Sequence, residues 1–106
     1  MTSGETVAAL AALAQENRLD VFRLLVRQGP EGTPAGEIAE ALGIAAATLS
    51  FHLKELRNAG LIQMRRNGRS LIYSVDYQAM RSLIDFLTEH CCANAPPKTR
   101  AESRKL

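Results

Sequence analysis

The first half of the chain carries apolar residues at helical spacing in several separate stretches. Residues 5–15 are rich in alanine and leucine and form a wide apolar helical face. In residues 18–28, one side of the predicted helix carries Leu19, Phe22, Leu25 and Val26. Residues 34–42 form a shorter stretch between a capping threonine and a glycine. Three successive helices are therefore predicted before residue 43.

Residues that favour helix ends separate these stretches. Asn17 suits the N-cap of the second helix, and Gly29-Pro30 ends that helix. Thr33 suits the N-cap of the third helix, where Pro34 fits the first helical position. Gly43 then stops the third helix, because glycine readily adopts the left-handed conformation of a helix C-terminus.

A fourth helix is predicted after a tight turn at Gly43-Ile44. One side of this helix carries Leu49, Leu53 and Leu56. Gly60 closes it in the position after the C-cap. Two helices joined by a short turn that contains glycine form a helix-turn-helix.

The apolar period changes in residues 61–75, which form two short extended runs around Asn67-Gly68. This dipeptide is a strong signal for a tight hairpin turn. Arg65, Arg66 and Arg69 lie around the turn, where guanidinium groups can reach phosphates or a narrow minor groove. A single arginine in a loop is more often just solvated. Three beside a helix-turn-helix favour contact with DNA.

A fifth helix is predicted from residue 77 up to the cysteines at 91 and 92, with Asp76 as its N-cap. Its apolar residues at helical spacing are Met80, Leu83, Ile84 and Leu87. Pro96-Pro97 prevents its continuation. We expect residues 1–95 to form one DNA-binding and dimerisation domain and residues 96–106 to form a flexible polar tail.

The predicted fold is mainly α with a β-hairpin, arranged as a winged helix-turn-helix. The first and fifth helices carry more apolar surface than so small a core can cover. Exposed apolar faces of this kind mark interfaces, so a homodimer built from these two helices is expected.

Composition restricts the class of protein further. A chain of 106 residues with a formal net charge of +2 forms one modest domain. No run approaches the roughly 18 apolar residues that span a bilayer, and the N-terminus lacks a signal-peptide pattern, so a cytoplasmic protein without membrane contact is expected. In that reducing compartment the two cysteines are expected to be free thiols, and neighbouring cysteines make poor disulfide partners.

The second helix of a helix-turn-helix fits the DNA major groove, so its polar residues are candidate DNA contacts. These are Thr48, Ser50, His52, Lys54 and Arg57. The opposite leucine stripe is expected in the core. His52 could alternatively make an internal hydrogen bond, which is more plausible than binding a metal.

Residues 17–75 resemble the ArsR/SmtB family of repressors. The resemblance lies in the segments NRLDVFRLL, TLSFHLKELRNAGLI and RRNGRSLIYSV. It implies a dimeric repressor that leaves its operator when a metal or metalloid binds. Members usually carry polar residues where this chain has Ala45, Ala46 and Ala47, and a histidine is frequent where it has Phe51. Methyl contacts to thymine would substitute for base hydrogen bonds there, and Ala46, Ala47 and Phe51 are also candidate DNA contacts.

The resemblance also bears on ligand sensing. Some members carry a Cys-x-Cys pair in the third helix, which residues 35–42 lack. Others carry paired cysteines at the end of the last helix, similar to Cys91 and Cys92, usually with a further cysteine that is missing here. Trivalent arsenic is thiophilic, and a methylated trivalent arsenical leaves only two positions for thiolates. We therefore expect trivalent arsenicals or antimonite as inducers, with methylarsenite at least as effective as arsenite, and no permanently bound cofactor.

Other interpretations of the cysteine pair remain open at this stage. The thiols could simply pack as small apolar side chains, bind zinc together with His90, or form a redox switch.

The sequence lacks the residue sets that common hydrolytic enzymes need. No Ser-His-Asp set and no paired carboxylates fall on a plausible pocket, so an enzyme is not expected. A winged helix that binds protein partners is a third class, because a fold does not fix a function.

Overall fold

The computed structural model describes residues 1–94. Five helices and three short strands follow one another along these residues: α1 Ser3–Leu13, α2 Glu16–Gln28, β1 Thr33–Pro34, α3 Ala35–Leu42, α4 Ala46–Asn58, β2 Ile62–Asn67, β3 Ser70–Val75 and α5 Tyr77–Thr88. The predicted tail at residues 96–106 lies outside the described residues. The helix-turn-helix comprises α3 and α4, and β2 and β3 form the wing, which confirms the predicted winged helix-turn-helix.

The strands form one antiparallel sheet in the order β1-β3-β2. β2 pairs with β3 from Ile62 opposite Val75 to Asn67 opposite Ser70. The predicted hairpin is therefore present, but its turn is centred on Gly68-Arg69, one residue later than predicted. Gly68 occupies the first central position with φ +65°, a conformation that glycine adopts without steric cost.

Strand β1 is an element that the sequence pattern did not predict. Thr33 pairs with Tyr73 and Pro34 with Ile72, which adds an edge to the wing. Thr33 was predicted to cap the third helix, and this is wrong: Pro34 is the N-cap, and no side chain caps that end. The ladder places Thr33 in the sheet, where its buried Oγ1 has no hydrogen-bond partner among residues 1–94.

Local capping interactions define the first two helices. Thr2 and Glu5 form a reciprocal capping box that begins α1 two residues before the predicted start. The prediction of Asn17 as the N-cap of the second helix is wrong. Gln15 takes that position, because its Oε1 accepts a hydrogen bond from the Arg18 amide at 2.9 Å.

The core lies between α2, α4 and the sheet. Its most fully buried large side chains are Leu25, Ile38, Leu49, Leu53, Leu56, Leu61, Val21 and Val75. α2 buries Val21, Phe22, Leu24 and Leu25. Leu19 was predicted to share this face, but it is 41% exposed because the buried face of α2 is centred on Val21 and Leu25.

Helix α5 ends earlier than predicted. Asp76 caps its N-terminus as expected, with Oδ1 accepting from the Ala79 amide at 3.0 Å. The helix stops at Thr88, and the cysteines follow in tight turns in which the Cys91 amide donates to the Thr88 carbonyl at 2.8 Å. Positive φ angles at His90 and Cys92 bend the chain away from the helical path. Within residues 1–94, no helix has the length and apolar character needed to cross a membrane.

We predict that Gly32→Ala destabilises the fold. Gly32 has φ +85°, and an added Cβ would lie 2.7 Å from Ile72 Cγ2 and 2.9 Å from the Tyr73 carbonyl oxygen. The strain should cost about 1–3 kcal/mol and lower the urea midpoint. Gly36→Ala is the control, because an added Cβ there meets nothing within 4 Å, and stability should stay the same or rise. Equal midpoints for Gly32→Ala and the wild type would contradict this account of β1.

Candidate nucleic-acid interface and thiol pair

Helix α4 has one buried face and one exposed face. Leu49, Leu53 and Leu56 are almost fully buried, as predicted. A helix repeats every 3.6 residues, so the side opposite these leucines carries Ala47, Phe51, Lys54 and Asn58, and all four are exposed. The turn before α4 contains Gly43, whose left-handed conformation ends α3 as predicted.

The structure leaves most of the predicted DNA-contact residues exposed. On α4 the exposed ones are Ala46, Ala47, Thr48, Ser50, Phe51, Lys54 and Arg57. On the wing they are Arg65, Arg66 and Arg69. Their positions fit a surface that could enter a groove and contact phosphates, and their DNA contacts stay a prediction.

His52 does not belong to this surface. Its side chain is only 6% exposed, so the prediction that it faces the groove is wrong. Arg18 of α2 lies against it, with Nη1 donating to His52 Nδ1 at 3.3 Å. Arg18 Nε also donates to the Ala12 carbonyl oxygen at 2.7 Å. One guanidinium therefore connects the C-terminal end of α1 to the middle of α4.

Burial, and secondarily the charge of Arg18, lowers the pKa of His52. The neutral imidazole is the form that can accept a hydrogen bond from a guanidinium. A lowered pKa in the folded state means that the unfolded chain binds protons more readily. Any stability from this contact is therefore present above a pH of about 6.5 and falls as acid protonates the ring.

A polar groove of ≈ 630 Å³ lies between α4 and β2. Ser50, Lys54 and Arg57 line it from the helix, together with Asn58, and Gln63 lines it from the strand. Asn58 and Gln63 were not among the predicted contacts. Asn58 follows Lys54 by four residues on the exposed face, and this spacing is the signal that could have identified it.

The three wing arginines differ in their surroundings. Arg65 Nη2 donates to the carbonyl oxygen of Glu31 at 3.0 Å, which fastens β2 to the loop before β1. Arg66 and Arg69 are exposed near the tip of the wing, and Arg69 lies in the turn itself. Arg65 therefore helps to position the wing, whereas Arg66 and Arg69 remain the better candidates for phosphate contact.

The two cysteines lie together on the surface after α5. Both are free thiols and exposed, and their sulfur atoms are 2.7 Å apart. Beside them, His90 Nε2 lies 3.4 Å from Glu89 Oε1. Within residues 1–94, no three His, Cys, Asp or Glu side chains are grouped to hold a metal ion. The arrangement places two soft sulfur atoms side by side on the surface.

The hydrogen bond with Cys92, and then the Cys92 charge, raises the pKa of the Cys91 thiol. Cys91 is therefore expected to be protonated at neutral pH. A protonated thiol can still react with a trivalent arsenical. An As–S bond replaces an As–OH bond, and the thiol proton leaves with the hydroxyl group as water.

The fold and the exposed basic surface together define a winged helix-turn-helix DNA-binding domain. Residues 13–65 match the helix-turn-helix domain family. The sequence is 32% identical over 88 residues to the HTH-type transcriptional regulator YgaV of Escherichia coli, covering 83% of this chain and 87% of YgaV. The chain thus belongs to the helix-turn-helix transcriptional regulators of the ArsR/SmtB type.

Solved structures agree with this assignment. HlyU from Vibrio cholerae superposes with a TM-score of 0.68 at 28% identity, covering 85% of this chain and 95% of HlyU. A homodimeric winged helix-turn-helix domain from Mycobacterium bovis, described as a possible ArsR-family regulator, superposes with a TM-score of 0.67. It is 26% identical, and the match covers 90% of this chain and 89% of that domain.

We predict that Arg66→Ala weakens DNA binding chiefly by removing a phosphate contact. The slope of log Kd against log salt concentration should then become smaller by about 1, measured by fluorescence anisotropy on a promoter duplex. Arg23→Ala is the control, because Arg23 is an exposed arginine of α2, outside the wing, α4 and the proposed dimer interface. Identical salt slopes for Arg66→Ala and the wild type would exclude this residue from the phosphate contacts.

Proposed function

We propose that this protein is a homodimeric transcriptional repressor that releases its operator when a trivalent arsenical binds Cys91 and Cys92. The observation that carries the proposal is the exposed thiol pair, with its sulfurs 2.7 Å apart at the end of α5. DNA binding itself follows from the family. The repressing sign of regulation is part of the proposal, since the similar HlyU of Vibrio cholerae is named a transcriptional activator.

Uncovered apolar side chains on α1 and α5 support the dimer. Val7 is 65% exposed and Leu87 56%, and Leu10 and Ile84 are also exposed. The two helices pack against each other, so these side chains lie on neighbouring elements. α5 buries only Leu83 within the subunit. A second copy of the chain would cover this apolar surface, as in the homodimeric domain from Mycobacterium bovis.

We predict that the double substitution Ile84→Glu and Leu87→Glu produces monomers. Two carboxylates would have to be buried without partners in the proposed interface, which opposes association. Sedimentation equilibrium should show the dimer mass for the wild type and the monomer mass for the variant. Gln78→Glu adds negative charge to the same helix at an exposed position on its other side and should remain dimeric. A dimer that survives the double substitution would place the interface elsewhere.

The thiol pair matches the bonding of trivalent arsenic. Thiolates are soft ligands, and arsenic in this oxidation state is a soft, thiophilic acceptor. When methylarsenite binds, two S–H groups and two As–OH groups form two As–S bonds and two water molecules. No oxidant or reductant is needed. The ring closed through arsenic has one more member than the ring of a vicinal disulfide, so it is less strained.

The number of thiols favours a methylated arsenical. Arsenite has three exchangeable oxygens, so two thiols leave one hydroxyl on arsenic. Methylarsenite has only two, and both are replaced by Cys91 and Cys92. We therefore propose that methylarsenite is at least as effective an inducer as arsenite, and that antimonite also binds.

The position of the pair provides a route from ligand to DNA. The cysteines follow directly on α5, which belongs to the proposed dimer interface. The two recognition helices of a dimer must match the spacing of two half-sites on DNA. Drawing both sulfurs onto one arsenic atom would reorder the turn at residues 89–93 and bias the angle between subunits. A coupling free energy of about 1–3 kcal/mol is sufficient for regulation.

We predict that methylarsenite and arsenite release the wild-type protein from an operator duplex, measured by fluorescence anisotropy. Cys91→Ser and Cys92→Ser should each raise the concentration needed for half release by at least about tenfold, since each removes one of two As–S bonds. Mass spectrometry should show an adduct equal to methylarsenite minus two waters on the wild type.

His90→Ala is the matched control, because it changes the neighbouring residue and keeps both thiols. It should respond to arsenicals like the wild type. Release that is unchanged in both serine variants would contradict the proposed site. Failure of excess arsenical to release the reduced wild-type protein would reject the proposed inducer.

A redox switch is the second candidate for the same cysteines, and the contact between the two sulfurs favours it. Reduced HlyU from Vibrio cholerae is similar to this chain, with a TM-score of 0.66 and 27% identity. Hydrogen peroxide would convert two thiols into a disulfide and two waters. Release by peroxide, reversed by a phosphine reductant and independent of arsenicals, would favour this function over arsenical sensing.

A further inference from the structure

We propose that Phe51, supported by Ala47, recognises thymine methyl groups and thereby determines part of the operator sequence. The inference rests on the proposed placement of α4 in the major groove. It adds the chemistry of base recognition, which the family assignment leaves open.

Phe51 is an unusual side chain for its position. Its ring is 55% exposed, although aromatic rings are normally buried. Most of the other exposed large apolar side chains lie on α1 and α5 or at the N-terminus, where the proposed dimer interface is located: Met1, Val7, Leu10, Ile84 and Leu87. Phe51 lies on a different element, so the proposed dimer interface does not explain its exposure.

The first turns of α4 offer few groups that could read bases by hydrogen bonds. Ala46 and Ala47 present only methyl groups, and Phe51 follows Ala47 on the same face. Thr48 and Ser50 supply only hydroxyl groups there. The C5-methyl group of thymine is the apolar feature of the major groove, and alanine and phenylalanine side chains contact it. The exposed apolar surface formed by Ala47 and Phe51, here called the DNA-reading face, therefore favours thymine.

The charge around Phe51 favours DNA over a protein as the partner of this face. Lys54 lies on the same exposed face, and Arg57 lines the adjacent groove beside the wing. The first acidic residue of α4 is Glu55, which is half-buried and lies on the side of the helix that faces α1 and Arg18. Basic side chains beside an apolar patch suit a groove whose walls are phosphates and whose floor carries methyl groups.

Packing inside the domain holds the backbone that carries Phe51. The centroid of the Phe51 ring lies 5.8 Å from that of His52, with the ring planes tilted by 59°. His52 is buried and accepts a hydrogen bond from Arg18. The backbone that carries Phe51 is thus held by the buried face of α4, and little ordering is left for the moment of binding.

The experiment compares thymine with uracil, which lacks only the methyl group. A duplex is first selected from a random pool by the wild-type protein, and each thymine is then replaced by deoxyuridine in turn. The wild type should bind at least one substituted position per half-site about fourfold more weakly, the factor that corresponds to one buried methyl group. Phe51→Ala should bind the thymine duplex more weakly and lose the discrimination at that position.

Two further variants test the assignment. Phe51→Leu keeps an apolar side chain and should retain the preference for thymine. Lys54→Ala should weaken binding to both duplexes and leave their ratio unchanged, because it contacts phosphate in this account. Both substituted positions, Phe51 and Lys54, are exposed. Circular dichroism and the mass of the assembled protein verify folding and assembly.

Each outcome decides the proposal. Equal affinity of the wild type for thymine and uracil duplexes overturns it, as does a thymine preference that persists in Phe51→Ala, or a selected half-site without thymine. Arsenical is absent throughout, so these results are independent of the inducer. Failure to select any duplex would instead reject the placement of α4 in DNA, on which this inference rests.

Discussion

The structure depends on how the leucine stripe of α4 packs against α2 and the sheet. Leu49, Leu53 and Leu56 are at most 2% exposed, and burying each leucine contributes about 1.5–3 kcal/mol. Rotating α4 about its axis would expose these side chains, so the helix is held in one orientation. The opposite face is thereby fixed toward solvent, which makes Ala47, Phe51 and Lys54 available together.

Arg18 extends this constraint to the rest of the domain. Its hydrogen bonds connect two elements with proposed roles. Ala12 lies at the end of α1, which belongs to the proposed dimer interface, and His52 lies in the middle of α4, which carries the proposed DNA-reading face. A movement of α1 relative to α2 would therefore disturb the contact with α4. The same small set of contacts supports the shape of the subunit and, in a dimer, the separation of the two DNA-reading faces.

Local backbone geometry, and not core packing, arranges the thiol pair. It lies beyond the last helical turn, where positive φ angles at His90 and Cys92 turn the chain and the residues are exposed. Hydrogen bonds between near neighbours hold it, such as the one from the Cys91 amide to the Thr88 carbonyl. Exposure makes both sulfurs accessible to a ligand, and proximity to α5 places them next to the proposed subunit contact. If the pair binds a ligand as proposed, it can change conformation locally at little cost to the core, because no core side chain belongs to it.

The sequence by itself determined the features that depend on near neighbours in the chain. The leucine stripe of α4, the stops at Gly43 and Gly60, the cap at Asp76 and the hairpin follow from periodicity and local backbone preference, and all are present. Only the tertiary structure decided that Leu19 is exposed, that His52 is buried and that Thr33 joins the sheet. Those outcomes depend on which distant element covers each position: α2 brings Arg18 to His52, and β3 brings Tyr73 to Thr33.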